Sequence, residues 1–195
     1  MIAGHFGLAA LVKSREHRVP LWALMLATVW LDILFVPLLL AGIEGISFVP
    51  GTMGGYGRGI IYADYTHSLA GALLLSAVFG VVFAIPWGKR CAIVLGLVAF
   101  SHWLLDLVVH RHDMPFLPNN YGHLQRLGIG LWRSPIASAC VELALVIAGG
   151  GFYWRAARAV ARERASTPKR AVTTGLLVLI GGLAVLALDV TGILG

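Results

Sequence analysis

In the stretch SHWLLDLVVH, Ser101 to His110, two histidines and an aspartate interrupt an apolar run. His102, Asp106 and His110 recur every four residues, and four residues of α-helix return a side chain to within about 40° of its starting direction. One stripe of the helix therefore carries two imidazoles with a carboxylate between them. The plain reading is a helix end with a snorkelling His110 and one buried His–Asp hydrogen bond. The chemical reading is a set of metal ligands. His5, Asp32, His67, Glu142 and Asp189 also stand in or beside apolar runs, where a charged group costs about 2.5 to 3.5 kcal/mol on insertion scales and is a functional candidate by default.

Three neutral imidazoles and two carboxylates, His5, His67, His102, Asp32 and Asp106, suit zinc or a comparable divalent ion with one position open for water. Glu142 is then expected as an outer partner of the ligands or as a proton acceptor. His110, His112, Asp113 and His123 are candidates to complete a second metal site, with a solvated loop position the plainer reading of the three histidines. Asp189, beside Thr191, reads as capping or simple exposure. Cys91 and Cys140 lie in apolar segments without a CxxC or a Cys/His cluster, so they read as packing residues rather than a disulfide or thiolate site.

The elements that must position these groups are membrane helices. Of the 195 residues 58% are hydrophobic and only 12% charged, and mean hydropathy is +0.84, whereas soluble domains carry about 25% charge. The composition predicts an integral membrane protein, a single all-α helix bundle over 1–195. The net charge of +6 is carried by short basic clusters between apolar runs, without an aromatic-interleaved basic face, which argues against nucleic acid and for topology signals. MIAGHFGLAALV lacks a basic leader and holds a histidine, so it is expected to remain as structure rather than be cleaved.

Five runs approach the roughly 20 residues that a span requires: Val19 to Gly42, Thr66 to Trp87, Cys91 to Val109, Pro135 to Trp154 and Ala171 to Leu194. Ile2 to Val12 is a sixth, short and expected to tilt across with help from Lys13 and Arg15. With six crossings, eleven of the 15 Lys and Arg fall on one side, in Lys13 to Arg18, Gly88 to Arg90 and Arg155 to Arg170. The positive-inside rule then puts both termini outside, 43–65 and 110–134 in outer loops, and 155–170 in a basic cytoplasmic loop, with Arg155 to Arg164 continuing as a basic helix along the inner surface. Trp22, Trp87, Trp132 and Trp154 would anchor span ends. In this frame the intramembrane ionisable residues lie in the outer half, which is the pattern of one polar cavity opening outward. GTMGGYGRG in the first outer loop reads as flexible rather than as an anion-binding nest, and HRHDMPFLPNNYGH as an irregular cap. Neither broken helices nor repeated halves are visible.

GHFG near the start, an aspartate in the second run, THSL before the third, SHWLLD in the fourth, then HRHDMP and LGIGLW, together resemble the small bacterial membrane proteins catalogued as membrane-bound metal-dependent hydrolases. The resemblance runs from His5 to about Trp154. It implies a multi-helix fold in the bacterial cytoplasmic membrane, with His5, Asp32, His67, His102 and Asp106 as the matching polar positions. The chain differs in having Tyr62 where many relatives carry a histidine, and Ile33 or Leu34 where they carry a second acid, so fewer ligands are implied than a full two-metal centre needs.

The expected activity is hydrolysis of an ester or phosphoester in a lipid, a lipid-linked compound or another small molecule, by water activated at a divalent metal, most simply zinc. Asp106 or Glu142 would serve as general base, and Arg111 or a histidine would stabilise negative charge. Membrane lipids are the expected partners, and nothing points to a protein partner. The rival readings are a transporter using the same residues as a relay and a non-catalytic metal-binding protein.

Overall fold

The computed structural model describes residues 1–51, 55–163 and 168–191. Seven helices in six segments carry the described residues: α1 Ile2–Lys13, α2 Leu21–Thr28, α3 Trp30–Leu40, α4 Leu69–Val109, which holds two helices meeting at Gly88, α5 Pro135–Glu163 and α6 Pro168–Val190. Three segments are long and apolar enough to cross a membrane, Trp87–Val109, Pro135–Arg162 and Thr173–Val190, and α2 with α3 makes a fourth if the bent pair is one span. Ile2–Lys13 and Leu69–Phe83 are apolar but shorter. The all-α expectation thus holds for the bundle.

One run expected to be continuous is broken. Val19 to Gly42 breaks at Val29, whose φ of −121° and ψ of 12° leave the helix, and α2 and α3 meet at 47°. Neither proline nor glycine marks the point. The two runs around Gly88 stay two helices within α4: Gly88 takes φ 81° and ψ 172°, a non-helical conformation that favours glycine, and the second helix folds back so closely that a Cβ on Gly80 would lie 2.6 Å from the Ala92 carbonyl oxygen.

The segment over 43–65 contains a hairpin. Strands β1 Gly45–Phe48 and β2 Gly59–Tyr62 pair antiparallel, with Gly45 opposite Tyr62 and Phe48 opposite Gly59. Ile46, Ile60, Ile61 and Phe48 supply the branched and aromatic side chains that strands favour. Residues 52–54 of GTMGGYGRG lie outside the described residues, as do 164–167 of the basic segment. The basic segment from Arg155 to Glu163 is a direct continuation of α5, and the Arg158 guanidinium lies 4.8 Å from the centre of the Trp154 ring, one turn away.

Helix α1 occupies the middle of the bundle, packed on α2, α5 and α6, while α2 and α3 pack on α4. Its closest neighbour is α5: a Cβ on Gly149 would run into the Gly7 carbonyl, so only glycines allow the two backbones to approach this far. Toward the basic end, Ala9, Leu24, Ala27, Phe79, Leu95 and Val98 form a buried apolar layer. The polar side chains lie on its other side.

Candidate metal centre

Four side chains from three separate parts of the chain meet above that apolar layer. Asp32 comes from the first turn of α3, His67 from the segment leading into α4, and His102 and Asp106 from successive turns of α4. One ligand atom of each lies within 4.8 Å of all the others. His67 Nε2 is 3.2 Å from His102 Nε2 and 3.6 Å from Asp106 Oδ2. Asp32 Oδ1 stands 3.5 Å from both imidazole nitrogens, and His102 Nε2 is 3.0 Å from Asp106 Oδ2. Donors bound tetrahedrally at about 2.1 Å from an ion are about 3.4 Å apart. Five of the six edges of this cluster therefore fall near the spacing of a four-coordinate site.

The opposite nitrogen of each histidine shows which atoms are available to a ligand. His102 Nδ1 is 2.7 Å from the Thr28 carbonyl oxygen. A carbonyl can only accept, so Nδ1 carries the proton and Nε2 of the neutral ring presents a lone pair. This bond explains the break at Val29. The Thr28 carbonyl leaves the helical ladder and takes His102 as its donor, while Val29 turns back to the Leu26 carbonyl. An irregular backbone at membrane depth is tolerated where protein satisfies it.

At His67 the proton is placed by a chain of side chains. The Glu44 carboxylate accepts from the backbone amides of Tyr65 and Thr66, both at 2.8 Å, and from Thr66 Oγ1 at 2.9 Å. With its only proton given to the carboxylate, Thr66 Oγ1 accepts from His67 Nδ1 at 2.9 Å. Nε2 again is left as a lone pair. Trp103 Nε1 donates to the His67 carbonyl at 2.8 Å and fixes the backbone there. Two lone pairs thus face each other at 3.2 Å, an arrangement that repels unless a proton or a cation lies between them. The donor set fits a metal ion, and the cluster could hold one.

His5 and His110 stand behind Asp106. Since His5 Nδ1 has no partner among the described residues, Nε2 donates to Asp106 Oδ1 at 3.1 Å, leaving Oδ2 toward the cluster. The His5 ring stacks on His102 with centroids 4.1 Å apart. His110 Nδ1 donates to Asp113 Oδ1 at 3.0 Å and its Nε2 is 3.7 Å from Asp106 Oδ2. The stripe of His102, Asp106 and His110 therefore does face one place. His110 is buried rather than solvated, while His112 and His123 are exposed. Asp113 is a strut, accepting also from the Ile61 amide at 3.1 Å, and Arg126 ties its carbonyl to the carboxylate of Asp64.

Glu142 and Arg111 have their recorded partners elsewhere. Glu142, fully buried, accepts from Tyr56 Oη at 2.6 Å and from the Gly4 amide at 3.1 Å. It ties the hairpin loop and α5 to α1 one residue from His5. Burial, and then the Glu142 carboxylate, hold the Tyr56 phenol above its ordinary range, so it stays a donor. Arg111 donates to the carbonyls of Gly57 and Trp132 and braces the segments 43–65 and 110–134 together. Sequence reasoning missed Glu44, Thr66 and the Thr28 carbonyl. Only the threonine of THSL gave any signal, as a hydroxyl next to a candidate ligand.

The cluster is closed on most sides. His67, His102 and Asp106 side chains are 0 to 6% exposed, against 40% for Asp32, so access runs past Asp32. Comparison with protein-family models, curated proteins and solved structures finds no match, and the resemblance to metal-dependent membrane hydrolases rests on the motifs alone.

Proposed function

We propose that the protein is a membrane-embedded, metal-dependent hydrolase of the bacterial cytoplasmic membrane, with six crossings and its site toward the outer face. The observation that carries this reading is the pair of imidazole lone pairs held face to face by Thr28 and by the Glu44–Thr66 chain. Nitrogen and oxygen donors at tetrahedral spacing favour zinc. Bound there, the ion supplies Lewis acidity and an activated water.

The surrounding residues have distinct tasks. Asp106 has both oxygens committed, Oδ1 to His5 and Oδ2 to the imidazoles, so it orients ligands and is poorly placed as a free base. Asp32 presents only Oδ1 to the cluster and is its exposed member, so we assign the ligands to His67, His102 and Asp106, the fourth position beside Asp32 to incoming water, and to Asp32 the acceptance of that water's proton. The apolar layer of Leu24, Phe79 and Leu95 seals the site toward the basic end, which suits a reaction entered from one side. The substrate class is an ester or phosphoester of a lipid or lipid-linked compound.

The break between α2 and α3 favours a second reading, since transporters often build sites from discontinuous helices. A conduit, however, needs a tolerable path across about 30 Å of hydrocarbon, and here the freed carbonyl is spent on His102. The deciding experiment combines elemental analysis of the purified protein and its His102→Ala variant with ester and phosphoester hydrolysis in detergent. Metal and hydrolysis lost together in the variant support the hydrolase. Ion or proton flux in proteoliposomes that the variant eliminates, with no hydrolysis of any substrate, replaces it with the transporter.

A further inference from the structure

Helices α5 and α6 approach closely over part of their length and separate over the rest. A Cβ on Gly182 would lie 2.8 Å from Val146 Cγ1, and one on Gly175 would lie 2.7 Å from Trp154 Cδ1. From Val146 toward the basic end the contact is therefore set by glycines. Beyond Val146, toward Pro135, larger residues line both helices: Ile136, Ala139 and Leu143 on α5, and Leu183, Leu186 and Val190 on α6. Their spacing of three and four puts each set on one helical face. The faces do not close on each other but leave a cavity of about 810 Å³. That lies within the roughly 300 to 1,000 Å³ of small-molecule sites.

The mouth of this wedge is polar, with Thr191 at the end of α6 facing the hairpin loop. Gly55, Tyr56 and Arg58 of the hairpin loop border it. Arg58 is exposed, and no hydrogen bond or ion pair engages its guanidinium among the described residues. An apolar slot between two candidate spans, with a free guanidinium at the rim, matches one chemistry: acyl chain in the slot, phosphodiester oxygens on the arginine.

We propose that the wedge between α5 and α6 is a glycerophospholipid site, with an acyl chain between Leu143 and Leu186 and the lipid phosphate on Arg58. It is distinct from the metal cluster. Helix α1 lies between them, and the cluster opens past Asp32 on α3. Tyr56 connects the two, lining the wedge while its hydroxyl holds Glu142 and, through it, the Gly4 amide beside His5. The lipid therefore serves as a bound wedge that completes the α5–α6 packing.

Cys140 lines the cavity and is exposed, whereas Cys91 is buried, so the native chain carries a thiol probe in the right place. The test uses delipidated full-length protein in detergent, titrated with phosphatidylglycerol, with diacylglycerol lacking the phosphate, and with glycerophosphate lacking the chains. Binding is read by native mass spectrometry and by protection of Cys140 from a maleimide. Expected are one retained phosphatidylglycerol and slowed Cys140 labelling, with at least tenfold weaker effects from either half alone. Arg58→Ala should lower phosphatidylglycerol affinity to that of diacylglycerol, and Leu143→Trp, which fills the slot, should abolish both signals. Both substitutions should leave metal content unchanged, so this site and the hydrolase reading stand or fall separately. Equal binding of phosphatidylglycerol to wild type and Arg58→Ala, or unaltered Cys140 labelling at saturating lipid, overturns the proposal.

Discussion

Replacing Thr66 with valine keeps the volume of the side chain and removes the one hydroxyl that relays Glu44 to His67. In the native arrangement Thr66 Oγ1 lies 2.9 Å from a Glu44 oxygen and 2.9 Å from His67 Nδ1. Without it, the imidazole N–H and a carboxylate oxygen are left buried and unpaired, at a cost of about 1 to 3 kcal/mol. The ring escapes the cost by moving its proton to Nε2. That removes the lone pair 3.2 Å from His102 Nε2 and with it one metal ligand. Loss of such an outer partner lowers metal affinity about 10- to 100-fold, equivalent to about 1.4 to 2.8 kcal/mol. Competition against a chelator of known affinity, on purified protein in detergent, measures the change. Thr66→Ser, which restores the hydroxyl, should bind within about threefold of wild type, well inside that range. If Thr66→Val binds zinc as tightly as wild type at the same stoichiometry, the tautomer of His67 is not set by this chain and the reasoning fails.

Four further outcomes are expected. Asp106→Asn should lose the bound metal, because its amide nitrogen cannot ligate where Oδ2 faces two imidazoles; elemental analysis checks it. Gly149→Val should destabilise the fold by about 1 to 3 kcal/mol through forced separation of α1 and α5, read as a lowered midpoint in detergent unfolding. Glu16 is held below its ordinary range by the Arg18 amide and by Arg90, whose NH2 lies 3.0 Å away. A depressed folded value stabilises above the unfolded value of 4.5 and is lost as pH falls through the folded one. Protection of the Arg18 amide from hydrogen exchange, taken relative to an unstructured chain at the same pH, should accordingly fall only below about pH 4.5, and Glu16→Gln should remove that fall. Reporter fusions should place Arg162 in the cytoplasm, and an external location would reverse the proposed orientation.

The cluster was legible where chemistry clashed with its surroundings. Asp32, His67, His102 and Asp106 stand out because ionisable groups are costly among Leu and Val, and the four-residue spacing of SHWLLDLVVH fixed one stripe in advance. Glu44 was not legible, because an acid just beyond a helix end is ordinary and its link to His67 arises only when the hairpin folds back on α4. Glu142 was marked by its apolar neighbours, but its partner Tyr56 lies in a glycine-rich loop 86 residues earlier in the chain. The break at Val29 carries no proline or glycine. Its cause is a donor supplied by another helix, which local propensity does not encode.

The Thr28 carbonyl also has a consequence for how the protein is assembled. A segment from Leu21 to Leu40 released into lipid alone leaves the Thr28 carbonyl without a donor if it keeps its bend, and has a ladder interrupted only at Pro37 if it straightens. The straight form is therefore favoured at first, and the bent one only after the last third of α4, carrying His102, has been made and threaded in. In a membrane, assembly would then run backwards along the chain at this point, with a later helix reshaping an earlier one. Truncations ending before Ser101 should hold a continuous helix over 21–40, and metal binding should begin only with chains that extend past Asp106.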